Sequence, residues 1–283
     1  MNDLHFNIEL PDNLKLCGTI DRGGAGRIFR VKDITGKMLA LKIVNSRWQD
    51  KELAALTILR DLPCHQSLVQ IFQVGTLPDG RIFYTMELAD NQSGKPESEY
   101  IPDTLANRIN AGGMPFEQII EIFIEIAKGA SHLHKYGLAH GDIKPENIVF
   151  INSIPKLADF GTLAAKGDSG TAGFMVDDPV SAADRDCYAL AKSLYCTWSR
   201  LDVSEYPSLP EKDKCHSNFE KILNAQVYLS FLSTPAEVWR PLASEKLGEF
   251  YFILPLAVLM EDIKVMRSSR HNDSKRSYSA GTI

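Results

Sequence analysis

His140-Gly141-Asp142-Ile143-Lys144-Pro145-Glu146-Asn147, followed by Asp159-Phe160-Gly161, is the stretch on which the reading of this 283-residue chain turns. Asp142 and Lys144 stand two apart on what reads as an extended loop, so both can point at one reacting hydroxyl. Between the two clusters, Ile148 to Ile151, the turn Asn152-Ser153 and Lys156 to Ala158 predict a β-hairpin. Such a hairpin returns Asp159 to the neighbourhood of Asn147. An amide oxygen and a carboxylate brought together suit Mg²⁺, which keeps several waters and takes few protein ligands.

Upstream of this stretch the apolar spacing predicts a long amphipathic helix over Phe116 to Tyr136, and downstream two more over Tyr188 to Trp198 and Phe219 to Leu232. Asp90 to Asp103 holds two prolines and no periodicity, and reads as an exposed linker. The first 86 residues have a different character. Leu16 to Ile20, Arg27 to Lys32, Met38 to Val44, Leu68 to Gly75 and Arg81 to Leu88 read as strands separated by turn signals. One helix, Asp50 to Leu62, interrupts them with apolar residues at 53, 56 and 59, a spacing that puts Leu53 and Leu56 on its buried face, and stops at Pro63.

Two features of this front part bear on chemistry. Gly23-Gly24-Ala25-Gly26 lies between two predicted strands, where missing Cβ atoms let backbone N–H groups approach a phosphate. A tight hairpin turn is the plainer reading of the same residues. Lys42 sits mid-strand in Leu39-Ala40-Leu41-Lys42-Ile43, for which a strand with one solvated face is the plainer reading.

Composition sets the outer limits. Hydrophobic residues make up 44% and charged residues 24%, the profile of a folded protein rather than a disordered or fibrous one. A net charge of -5 argues against a broad basic field for nucleic acid. Cysteines 17, 64, 187, 196 and 215 form no C-x-x-C pair and read as reduced thiols, which with the lack of an apolar stretch in Met1 to Leu16 predicts a cytoplasmic protein. The apolar run Phe250 to Met260 is too short for a spanning helix, which needs about 20 residues. It reads as buried core, with a membrane-surface contact as the alternative, and the polar tail after Ser268 reads as disordered.

Taken together, the motifs resemble those of the eukaryotic-like (Hanks-type) serine/threonine protein kinases of bacteria, over roughly residues 14 to 245. The resemblance implies an α+β, bilobal fold: a β-rich N-lobe with one main helix over 1–86 and a hinge and mostly helical C-lobe over 87–249. The apolar segment and tail occupy 250–283. It implies ATP and Mg²⁺ (or Mn²⁺) as cofactors and protein serine or threonine hydroxyls as substrates. Gly23, Gly24 and Gly26 would lie in the loop over the ATP phosphates, with Ile28 and Ala40 at the adenine. Lys42 would bind the α- and β-phosphates and pair with Glu52, Asp50 being the other candidate. Met86 would be the gatekeeper, and Glu87 to Ala89 the hinge whose backbone reads adenine. Asp142 would orient the substrate hydroxyl as catalytic base, Lys144 would neutralise γ-phosphate charge, and Asn147 and Asp159 would hold metal. Thr171 and Gly173 would belong to the substrate-binding segment, Asp186 would brace the catalytic loop, and Arg240 would be structural.

The chain departs from the family's pattern in several places. Asp21 replaces the first glycine of the loop, and Gly141 replaces the arginine between His140 and Asp142. Val176-Asp177-Asp178 stands where alanine-proline-glutamate is usual. Lys42 and Glu52 are only ten residues apart, shorter than the family usually allows, but ten extended residues reach about 33 Å, so geometry does not forbid the pairing. Besides an active kinase, a nucleotide-binding pseudokinase and a kinase-fold enzyme acting on a small molecule are compatible with these departures.

Overall fold

In the computed structural model, residues 9–22, 24–94, 99–163, 170–175 and 182–205 are described. Strands β1 (Leu14–Arg22), β2 (Gly26–Asp33), β3 (Met38–Val44), β4 (Ile71–Thr76) and β5 (Ile82–Met86) form one antiparallel sheet in the order β1-β2-β3-β5-β4. Its middle strand, β3, is apolar apart from Lys42, and Leu39 to Val44 are all buried. Helix α1 (Gln49–Asp61) crosses one face.

The apolar spacing placed Leu53 on the buried side of α1, but the helix turns otherwise. Glu52, Ala55 and Leu56 are buried, while Leu53 is 44% exposed. The helix is rotated by a polar contact, the pairing of Glu52 with Lys42, rather than by the apolar stripe alone.

The second part is helical. α2 (Leu105–Asn110) is followed by α3 (Phe116–His134), the hairpin β6 (Ile148–Ile151) and β7 (Ile154–Leu157), and α4 (Ala182–Ser199). α3 ends two residues before the expected Tyr136. The chain reverses there through Gly137 at φ 69°, with the Leu138 amide donating to the Leu133 carbonyl at 3.2 Å. α4 begins six residues earlier than its apolar pattern suggests. α2 has no counterpart in the sequence reading. It spans six residues, too few for periodicity, and starts where the Thr104 hydroxyl accepts from the Asn107 amide at 3.0 Å. The helix expected over 219–232, the run 250–260 and the tail lie outside the described residues.

Fully buried Phe123, Ile126 and Leu133 of α3 share one core with Leu190 and Leu194 of α4 and Phe150 of β6. The two parts meet closely: a Cβ on Gly129 of α3 would come 2.9 Å from the Ser67 carbonyl, on the segment leading into β4. The Leu157 amide of β7 donates to that carbonyl at 2.8 Å, and the Val69 amide donates to the Leu157 carbonyl at 2.9 Å.

The segment read as an exposed linker is folded back instead. Asn91 bridges Pro102, the Asp103 amide donates to the Asp90 carbonyl at 2.8 Å, and Asp103 is buried against the Arg108 fork. The Asp90 carboxylate accepts the amides of Asn152 (2.9 Å) and Ser153 (2.7 Å). These two residues hold φ of 52° and 63°, so the carboxylate fixes a turn that non-glycine residues adopt reluctantly. Asp90→Ala is expected to destabilise the chain by about 1–2 kcal/mol, read as a lower urea midpoint at unchanged slope.

Candidate active site

The β2–β3–β5 register puts Ile28, Lys42 and Tyr84 in one row across the sheet, so their side chains share a face. Lys42, 2% exposed, donates to Glu52 Oε1 at 2.8 Å and to Asp159 Oδ1 at 2.6 Å. The Tyr84 hydroxyl donates to the same Glu52 oxygen at 2.7 Å. Asp50, the other candidate partner, is exposed. Burial works against the Lys42 charge, but the carboxylates of Asp159 and Glu52 outweigh it and hold the ammonium above the ordinary lysine range. Asp159 is likewise disfavoured as an anion by burial, yet Lys42 keeps it below the usual carboxylate value. Burial, reinforced by Glu52 and Asp159, pushes Tyr84 well above a free phenol, so it stays a donor.

Asp159 stands at φ 62°, which turns the chain so that Phe160 enters the core and packs edge-on to His140 at 5.4 Å. Gly161 then passes so close to Glu52 that a Cβ would overlap the carboxylate. Gly161 belongs to the Asp159-Phe160-Gly161 motif read from the sequence, whereas Tyr84 is a functional neighbour that the sequence reading did not single out. The only trace of Tyr84 is its place two residues before Met86 on one strand face.

The catalytic-loop residues converge from three elements. Asp142 Oδ1 accepts from the Thr171 hydroxyl (2.6 Å) and amide (2.9 Å). Lys144 Nζ bridges Asp142 Oδ2 at 2.9 Å and Thr171 Oγ1 at 2.6 Å. The Asn147 amide nitrogen donates to the Asp142 carbonyl and carboxylate at 2.8 and 2.9 Å. Beneath them, Asp186 is 1% exposed and accepts the amides of His140 (2.7 Å) and Gly141 (2.8 Å) and the ring N–H of His134 (2.8 Å). Gly141 adopts φ 81°, and a Cβ there would press on the Thr162 carbonyl at 2.9 Å.

The rest of the expected site is placed as follows. Gly26 opens β2 opposite Val44 of β3, and Gly24 lies in the turn just before it. The Gly24 carbonyl accepts from Asn45 Nδ2 at 2.7 Å and Arg47 Nη2 at 3.2 Å, and a Cβ on Gly26 would overlap the Ile43 carbonyl. Asp21 is exposed on β1. Ala40 and Met86 are buried register partners. Glu87 turns its carboxylate away to Lys156 (2.8 Å) and the Gln70 amide (2.9 Å). The Ala89 carbonyl accepts the Tyr100 hydroxyl at 2.9 Å. Gly173 holds φ 87° against Val203. Gly23, Val176 to Asp178 and Arg240 lie outside the described residues.

The donor set fits a hard cation. Asp159 Oδ2 and Asn147 Oδ1 carry no hydrogen bond among the described residues, and one carboxylate with one amide oxygen is what Mg²⁺ asks of a protein that leaves room for water and phosphate.

Comparison with known proteins agrees with this geometry. Residues 14–181 match the protein kinase domain. The chain is 29% identical over 148 residues to a Wee1-like protein kinase of Oryza sativa subsp. japonica, covering 50% of this chain and 26% of that protein. It is 23% identical over 180 residues to the serine/threonine-protein kinase TOS3 of Saccharomyces cerevisiae (58% and 31%). It is 26% identical over 168 residues to a probable serine/threonine-protein kinase PknB of Lactococcus lactis (56% and 25%). The chain thus spans about a quarter to a third of the length of these relatives. It belongs to the protein kinase domain family, and the five-stranded sheet with α1 joined to a helical part is the bilobal fold of that family.

The pH dependence of the ion cluster follows from the two shifts. Asp159 titrates lower folded than unfolded, so its contribution is present above 3.8 and is lost as pH falls through the lower folded value. Lys42 titrates higher folded, so its contribution is complete below 10.5 and is lost as pH rises through the raised value. Lys42→Met strands two carboxylates and is expected to cost about 3–5 kcal/mol. The gap between wild-type and variant melting curves should stay constant across pH 5 to 9 and close outside the window from 3.8 to 10.5.

Proposed function

We propose that the chain is an ATP- and Mg²⁺-dependent serine/threonine protein kinase of the bacterial eukaryotic-like type. The observation that carries the reading is the Asp142–Lys144–Thr171 cluster, in which one carboxylate, one ammonium and one hydroxyl are mutually bonded. Phosphoryl transfer asks for little covalent chemistry, only in-line geometry and positive charge around the transferred oxygens. Asp142 would accept the bond from the attacking Ser or Thr hydroxyl and take its proton. Lys144 would meet the γ-phosphate charge. Asp159 and Asn147 would hold the cation, which when bound neutralises charge across the phosphates. Lys42 is kept protonated by Glu52 and Asp159, and would bind the α- and β-phosphates. The Lactococcus relative supports the bacterial type.

We further propose protein substrates, the lobe boundaries 1–86 and 87–249, and a cytoplasmic site of action. Among the described residues no helix is long and apolar enough to cross a membrane.

Control by loop phosphorylation is not built into this reading. An arginine before Asp142 would pair with a phosphate on the activation loop and order it. Gly141 has no side chain to do so, and its φ of 81° with Thr162 packed against it leaves no strain-free space for one. The Thr162 hydroxyl donates to the His140 carbonyl at 2.9 Å, which already ties the loop's start to the catalytic loop.

The test is phosphoryl transfer from labelled ATP. Lys42→Ala and Asp142→Asn are each expected to lower the rate at least about a hundredfold. Asp142→Asn should leave ATP affinity nearly intact. Normal turnover in both variants would sink the kinase reading.

A separate comparison sets the wild type against phosphatase-treated wild type on a generic peptide. Initial rates are expected to agree within about threefold, and a tenfold drop on dephosphorylation would refute independence from loop phosphorylation.

A further inference from the structure

The outer end of the nucleotide cleft carries an arrangement that phosphoryl transfer does not use. Arg30 lies on β2 opposite Ala40, which in turn lies opposite Met86, the residue before the segment 87–89, so these side chains form one row across the sheet. Arg30 is only 6% exposed and pairs with no carboxylate among the described residues. Its guanidinium stacks on the Tyr100 ring, 4.6 Å from the centroid. Gly18 on β1 makes room for it, since a Cβ there would come 3.1 Å from Arg30 Nη2.

Tyr100, thus seated, donates its hydroxyl to the Ala89 carbonyl at 2.9 Å. Burial raises its pKa above that of a free phenol despite Arg30, so the donor is retained at working pH. On the same segment the Glu87 carbonyl and the Ala89 amide N–H carry no hydrogen bond among the described residues. The segment therefore offers a ligand one acceptor and one donor, while its second, outer acceptor already receives one hydrogen bond and keeps a single lone pair. Adenine's Watson–Crick edge carries one donor, the 6-amino group, beside one acceptor, N1. A 2-amino group beside N1 adds a donor that would need the capped carbonyl.

Resting on the kinase reading, we propose that Tyr100, held in place by Arg30, caps the outer hinge carbonyl and sets base selectivity, disfavouring purine nucleotides that carry a 2-amino group. A carbonyl that already accepts one hydrogen bond takes a second donor less well, and a poorly satisfied buried donor is penalised, so the cap discriminates without any clash.

The experiment is displacement of a fluorescent ATP analogue, with Mg²⁺, by ATP and by 2-aminoadenosine triphosphate. It is run on the wild type, Tyr100→Phe and Arg30→Met. The readout is the ratio of the two affinities, which a loss of folded protein does not move. Tyr100→Phe is expected to shift the ratio about fivefold toward the 2-amino nucleotide, the yield of one ordinary hydrogen bond. Arg30→Met should shift it the same way by a smaller factor. A ratio that moves less than about twofold in Tyr100→Phe overturns the cap while leaving the kinase reading standing. Failure of both nucleotides to displace the analogue from the wild type overturns the kinase reading and the cap with it.

Discussion

Everything in the cleft depends on one buried cation. Lys42 is enclosed at 2% exposure and bonded to two carboxylates from opposite parts of the chain, Glu52 on α1 and Asp159 beyond β7. A lone ammonium in that position would be too costly to keep charged, and two lone carboxylates would repel. Together they hold, and their mutual need fixes three things at once. It rotates α1 so that Glu52 rather than Leu53 faces inward, brings the Asp159 turn against the sheet, and aligns the upper and lower walls of the site. Tyr84 completes the cluster by filling a remaining lone pair of Glu52.

A second buried acid does the same for the lower wall. Asp186 collects two backbone amides and an imidazole N–H, all from residues 134 to 141, and so sets the path by which the chain reaches Asp142. These bonds are charge-assisted and shielded from water, which makes them stronger than the same contacts on a surface. The backbone at 140 and 141 is held by one carboxylate, which under the proposed function leaves the side chains at 142, 144 and 147 for chemistry.

How far the sequence could be read follows from how local each feature is. Asp142, Lys144 and Asn147 lie within six residues, and the hairpin that returns Asp159 is itself short, so their grouping could be inferred from the chain alone. The strand and helix order was legible for the same reason, since the apolar periods are strong in β3 and α3. Features that depend on distant partners were not. Nothing local marks Leu53 as the exposed member of its stripe, because the rotation of α1 is decided by Lys42 and Asp159. Tyr84, Arg30 and Tyr100 likewise look ordinary until the sheet register and the loop from Asp90 place them. That loop misled for a related reason: its polarity signalled solvent, whereas Asp90, Asn91 and Asp103 spend their polar groups on the backbone around them.

The shortness of the β3–α1 connection has a thermodynamic consequence. With ten residues separating Lys42 from Glu52, Asn45 and Arg47 fall directly under the glycine turn and bond to the Gly24 carbonyl, while the Asn45 amide donates to the Ala25 carbonyl at 2.9 Å. A glycine-rich turn is normally the most entropic part of a chain, and ordering it around an anion is a cost charged to the ligand. Here folding has already met much of that cost. Under the proposed function, Gly24 to Gly26 would meet the phosphates already held by these bonds, and binding there would gain in affinity what the chain has given up in freedom.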